Sequence, residues 1–168
     1  MEIRIYVANL AAYNEGRLVG DWLTLPMDEE ELTEAIKKIL GKDEEWAIHD
    51  YEAPFSIHEY DSPYELNKLL EDLEDIDEEE DVIRAIADIV DKDELFQILK
   101  DQSYSFIRDV HDEQDLALKI DQEYFPFDFE AVDKAGASGY LDYEAIGHDL
   151  CLNGWNICGG GLAVMIDQ

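Results

Sequence analysis

The chain has 168 residues, 46% of them apolar, and 43 acidic residues against 12 Lys and Arg give it a formal charge of −31. That length allows one ordinary domain or a few small ones, and three Trp, nine Tyr and six Phe argue against a disordered acidic tail. Self-repulsion of this size destabilises a compact state, so a fold that keeps it has a use for it; nucleic acid is a poor direct partner and a basic surface a good one.

Ile3, Ile5 and Val7 alternate with Glu2, Arg4 and Tyr6, the period-2 pattern of a strand. Asn14-Glu15-Gly16 signals a turn, and Leu18 to Leu25 reads as a second strand. Asp28 with Glu31 three residues on forms a capping box. The helix behind it places Leu32, Ala35, Ile36, Ile39 and Leu40 on one face and stops at Gly41. Glu45 to Glu52 reads as a third strand with Trp46, Ile48 and Asp50 on one face. Ser62, Pro63 and Glu65 mark a helix start, and Leu66, Leu69, Leu70 and Leu73 form its buried stripe. The densest acidic run follows: Asp75, Asp77, Glu78, Glu79, Glu80 and Asp81. A further helix carries Val82, Ile83, Ile86, Ile89 and Val90. Asp93 is the expected cap of a short one bearing Leu95, Phe96, Ile98 and Leu99.

Beyond it, Tyr104 to Val110 is strand-like. Asp112 opens a helix with Leu116, Leu118 and Ile120, and Asp142 opens one running through Ile146 and Leu150. Trp155 to Cys158 and Leu162 to Ile166 read as a hairpin about Gly159 to Gly161. The expected fold class is α+β: three small domains in an elongated chain. They are a mixed N-terminal segment 1–61, a helical centre 62–103 and a mixed C-terminal segment 104–168 with a small antiparallel sheet. The three segments carry net charges of −10, −11 and −10, so the acidity belongs to the whole folded body.

Catalytic motifs are not evident. His49-Asp50, His111-Asp112 and His148-Asp149 are chance neighbours in a chain with so many acids, and no HExxH spacing accompanies them. The run at 75–81 does not fit a calcium loop, because Glu80 stands where glycine is needed and Ile86 where a glutamate is needed. Cys151 and Cys158, with six residues between them, match neither zinc nor redox spacing. Gly159 to Gly161 lacks the following Lys-Ser/Thr of a phosphate loop. No cofactor and no enzyme activity are expected. The N-terminus MEIRIYVANL lacks a basic region and a long apolar run, and nothing approaches 18 apolar residues. A cytoplasmic protein with reduced thiols is therefore expected.

Tyr6 to Pro26 (YVANLAAYNEGRLVGDWLTLP), Glu45 to Phe55 (EWAIHDYEAPF), Glu59 to Asn67 (EYDSPYELN), Phe106 to Ala117 (FIRDVHDEQDLA) and Tyr140 to Leu150 (YLDYEAIGHDL) together resemble the ArdA antirestriction family. These segments cover 64 of the 168 residues and follow the family's order. Residues 68–102 carry its acidic helical character with little of its pattern, and His148 stands where the family would have Arg. The resemblance implies three small domains, a homodimer formed through the C-terminal region, and a curved rod whose carboxylates imitate the phosphates of bent DNA. It implies a target, the specificity and methyltransferase subunits of type I restriction–modification enzymes, and an origin on mobile elements.

On that reading the helix-borne carboxylates are the working parts. The candidates are Glu71, Asp72, Asp75, Glu78, Glu79 and Asp81 in the centre. In the third segment they are Asp109, Asp112, Glu113, Asp115, Asp121, Glu123 and Asp128. Duplex DNA carries one charge per ~1.7 Å of axis, so 31 charges match roughly 53 Å of it. Composition alone fits a second class equally well, an acidic adaptor or chaperone-like binder of some other basic DNA-binding protein.

Overall fold

A computed structural model describes residues 1–120, 124 and 127–167. It is α+β, with helices packed on two small antiparallel sheets. The period-2 pattern at the N-terminus becomes β1 (Ile3–Asn9), whose Ile3, Ile5 and Val7 are buried. A short α1 (Leu10–Asn14) leads into β2 (Gly20–Leu25), and β3 (Trp46–Glu52) completes a sheet in the order β2-β1-β3. β1 is central and antiparallel to both neighbours, with Ile5 opposite Leu23 and Arg4 opposite Glu52.

Between β2 and β3 runs α2 (Glu29–Leu40), capped by Asp28 and closed by Gly41 at positive φ. Its Leu32, Ile36, Ile39 and Leu40 are buried in the same core as β1. Full burial of one such side chain contributes roughly 1.5–3 kcal/mol. One register differs from the alternation expected in β3. The β1–β3 pairing shifts between Tyr6 and Val7, so Ala47 and Ile48 are both buried, whereas Asp50 lies exposed opposite Tyr6.

Three helices follow: α3 (Pro63–Glu71), α4 (Glu80–Ala87) and α5 (Lys92–Asp101). Ser62 caps α3 with Pro63 in its first turn, as the sequence indicates. The cap of α5 is Asp91 rather than Asp93, because Lys92 is already helical and the Asp91 carboxylate accepts from the Glu94 N–H. Two buried asparagines tie segments together. The amide of Asn67 both donates to and accepts from the backbone of Met27, fixing α3 to the loop before α2. Asn9 caps α1 while donating to the carbonyl of Leu40 and to Asp43.

The second sheet has the order β4-β6-β5, from β4 (Tyr104–Arg108), β5 (Trp155–Cys158) and β6 (Leu162–Ile166). The hairpin read from the sequence is present, turning through Gly160 and Gly161 at positive φ. α6 (Glu113–Lys119), α7 (Phe129–Lys134) and α8 (Tyr143–Leu152) lie between β4 and β5 in the chain. Leu116 in α6 and Ile120 at its C-terminal cap are buried but Leu118 is exposed, since residues two apart on a helix do not share a face.

β6 has a different core on each face. Leu162, Val164 and Ile166 pack into the large cluster of the first sheet and α2 to α5. Ala163 and Met165 pack into a smaller one with Val110, Leu116, Ile120, Leu150 and Trp155.

Candidate acidic interaction surface

Many carboxylates have a use within the fold. Asp28, Asp91, Asp112, Asp128 and Asp142 each accept hydrogen bonds from first-turn N–H groups of α2, α5, α6, α7 and α8. Such a cap stabilises a helix by about 1 kcal/mol. The positive end of the helix dipole favours the acids that crowd these first turns. Part of the acidity thus serves folding, whatever else it serves.

Among the predicted site residues, the central group forms one stretch running from the end of α3, through the turn behind it, to the start of α4. Glu71, Asp72, Asp75, Glu79 and Asp81 are exposed and Glu78 is half-buried. Glu71 accepts from the Asn67 amide at 2.8 Å, and Asp72 meets Lys100 of α5 at 3.5 Å. The end of the stretch docks on β4. Glu78 accepts from the Tyr104 hydroxyl, Asp81 from Arg108 at 2.6 Å, and Glu79 lies 3.2 Å from the same guanidinium. The hydrogen bond from Arg108 holds the Asp81 carboxyl below its usual range, and burial followed by the Glu78 bond raises the Tyr104 phenol.

Asp109, next to Arg108, has φ of 59° and its carbonyl accepts from Lys119. Asp112, Glu113 and Asp115 form a second group around the start of α6. Asp112 caps the helix, Asp115 accepts from the His111 N–H, and Glu113 meets His148 of α8 at 2.8 Å. Asp128 caps α7. Asp121 and Glu123 lie outside the described residues.

The His148–Glu113 pair gives a pH-dependent expectation. The hydrogen bond and then the charge of Glu113 raise the His148 pKa above the ordinary 6.5. Its contribution is therefore complete below 6.5 and fades as pH rises through the higher folded value. His148→Ala should lower the melting temperature at pH 5.5 and leave it nearly unchanged at pH 8.5. Equal losses at both pH values would show that the charged pair contributes nothing.

Salt gives another. Going from ~10 mM to ~150 mM shortens the screening length from about 30 to 8 Å. Relief of repulsion within a −31 chain should raise the melting temperature by about 5 °C, or roughly 2 kcal/mol for this size. A flat melting curve over that range would remove self-repulsion as a term in the stability.

The model of the ArdA antirestriction proteins matches residues 5–161, nearly the whole chain. The chain belongs to the ArdA family. No curated protein matches it. Membership makes antirestriction the functional class, and ArdA proteins are non-catalytic. In this ArdA chain, no group of three His, Cys, Asp or Glu among the described residues could hold a metal ion. No described helix is long and apolar enough to cross a membrane.

Each described cleft on this ArdA chain has at least one acid in its lining. One of about 400 Å³ lies between the loop before α3 and the start of α5, where Lys92 pairs with Asp61. Burial would raise the Asp61 pKa, but the Lys92 bond and the His58 N–H hold it below the usual value. Most of the scarce bases serve such internal pairs, including Arg4 with Glu52, Arg84 with Glu80 and Lys134 with Glu130. Sequence reasoning missed Tyr104 and Arg108 as the residues that seat the central acidic turn. Their spacing with Phe106 does put all three on one strand face, but the partners across the fold are not encoded locally.

Proposed function

We propose that this chain blocks type I restriction–modification enzymes by presenting carboxylates where those enzymes expect DNA phosphates. The specificity and methyltransferase subunits that grip the duplex are the partners. The observation that carries this reading is the row of mostly exposed carboxylates between Glu71 and Asp81, seated on helices with buried apolar faces and fixed at one end to β4. A polyanion held by a folded core offers a basic channel the same counterion release and steering as DNA. Phosphate-type contacts position without reading bases, so enzymes of different sequence specificity fall to one inhibitor. The division at 61/62 and 103/104, the elongated shape, the C-terminal homodimer, the cytoplasmic site of action and carriage on mobile elements belong to the same proposal.

The test is a competition titration. A type I modification enzyme is bound to labelled target duplex, the protein is added, and release of the duplex is followed. Release near one dimer per enzyme, weakening as salt rises, is the expected result. No release at large excess from several such enzymes would overturn it and turn the search to an adaptor role on another basic protein.

A further inference from the structure

We propose that Arg108, seconded by Tyr104, is a positioning residue that fixes the carboxylates of Glu78, Glu79 and Asp81 in the arrangement a basic target meets. This rests on the proposed function and adds a device to it. Tyr104, Phe106 and Arg108 alternate along β4 and share the face that pairs with Ile166, Val164 and Leu162. Tyr104 reaches Glu78 from one end of the strand. From the other end, the Arg108 guanidinium takes Asp81 through both terminal nitrogens, at 2.6 and 3.4 Å, and Glu79 at 3.2 Å. The ring of Phe106 lies 5.4 Å below that guanidinium. Glu80, between them, is held by Arg84 at 2.7 Å. Four successive carboxylates therefore each have a fixed partner, at the densest point of the acidic run.

The stability of the fold does not require this arrangement. Exposed ion pairs contribute roughly 0–1 kcal/mol, and Arg108 side-chain exposure is 40%, against 47% for Asp81 and 73% for Glu79. Nor does bulk charge favour it, since a guanidinium here subtracts from the negative field. Its effect is geometric. Like charges on adjacent residues repel, and without a clamp the carboxylate side chains at this junction between the turn and α4 would spread over many conformers. Ordering them then costs free energy at the moment of binding, and fixing them beforehand removes that cost.

The two physical readings predict opposite signs. Arg108→Gln takes the net charge from −31 to −32, so bulk electrostatics expects equal or tighter competition with DNA. Positioning expects at least a tenfold higher concentration for half-release of labelled duplex from a type I modification enzyme. It also expects faster amide exchange over residues 76–82 of the free protein and a melting temperature within about 2 °C of the parent. Arg108→Lys, which keeps the charge but not the fork, should fall between. Tyr104→Phe, which removes only the hydroxyl, should raise the half-release concentration about threefold and serves if Arg108→Gln misfolds. Equal or tighter competition by Arg108→Gln, or unchanged exchange, overturns the proposal. If the parent protein itself releases no duplex, the antirestriction mechanism fails; the exchange comparison still reads the clamp, because it needs no target.

Discussion

Gly147→Ala should lower the melting temperature by about 10 °C, corresponding to roughly 3 kcal/mol of overpacking in a chain of this size. A Cβ built at Gly147 lies 1.7 Å from the carbonyl oxygen of Glu113 and 2.4 Å from its carbonyl carbon. Both atoms are backbone, so no rotamer change relieves the clash, and α8 must move off α6. The smaller core behind these helices, with Leu116, Leu150 and Trp155, opens as they part. Thermal melting with near-ultraviolet dichroism reads both events. Gly139→Ala is the control, since nothing lies within 4 Å of its Cβ position; it should be nearly neutral. If the two variants melt alike, α6 and α8 are not in backbone contact. The same clash displaces the first turn of α6, which carries Glu113 and Asp115.

The second large effect is expected on binding. Converting Glu71, Asp72, Asp75, Glu78, Glu79 and Asp81 together to amides should weaken competition with DNA on the order of 100-fold and flatten the slope of log affinity against log salt by up to ~5. Single changes at Glu71, Asp72 and Asp75, which lie outside the contacts to Tyr104 and Arg108, should do little, because no one phosphate-like contact dominates. The comparison is a variant that neutralises Glu2, Glu30, Glu34, Glu44, Glu45 and Glu59 instead, all exposed and all in the N-terminal segment. It has the same net charge, so it separates local contact from the overall field. Equal losses from both sets would mean that charge is displayed diffusely, with no privileged stretch. A single amide change that abolished activity would contradict distributed mimicry outright.

The sequence announced its local signals well and its long-range ones poorly. Alternation at Ile3 to Val7, the 3.6-residue stripe from Leu32 to Leu40 and the Ser62-Pro63 helix start all lie within one element, and the structure has them. The terminal hairpin was legible because three glycines separate two apolar strands. α7, by contrast, buries no side chain and so lacks the stripe that marks a helix. The shift that buries both Ala47 and Ile48 arises from pairing with β1, which no period within β3 records. For the surface, residue type pointed to the acids but not to their partners. Glu78 and Asp81 meet β4 some 26 residues on, through Tyr104 and Arg108. Nor did the spacing of Gly147 announce that a carbonyl of α6 would rest against it.

β6 has a consequence for synthesis on the ribosome. It supplies one face to each core, and its partner β4 lies roughly 60 residues earlier, with Tyr104 opposite Ile166. At ~5–20 residues per second, about 3–12 s separate the emergence of the two strands. During that interval the nascent chain has the first sheet and its helices but an open seam where Leu162 and Val164 belong. This five-residue strand completes both cores, so protease resistance should reach its final level only after it arrives.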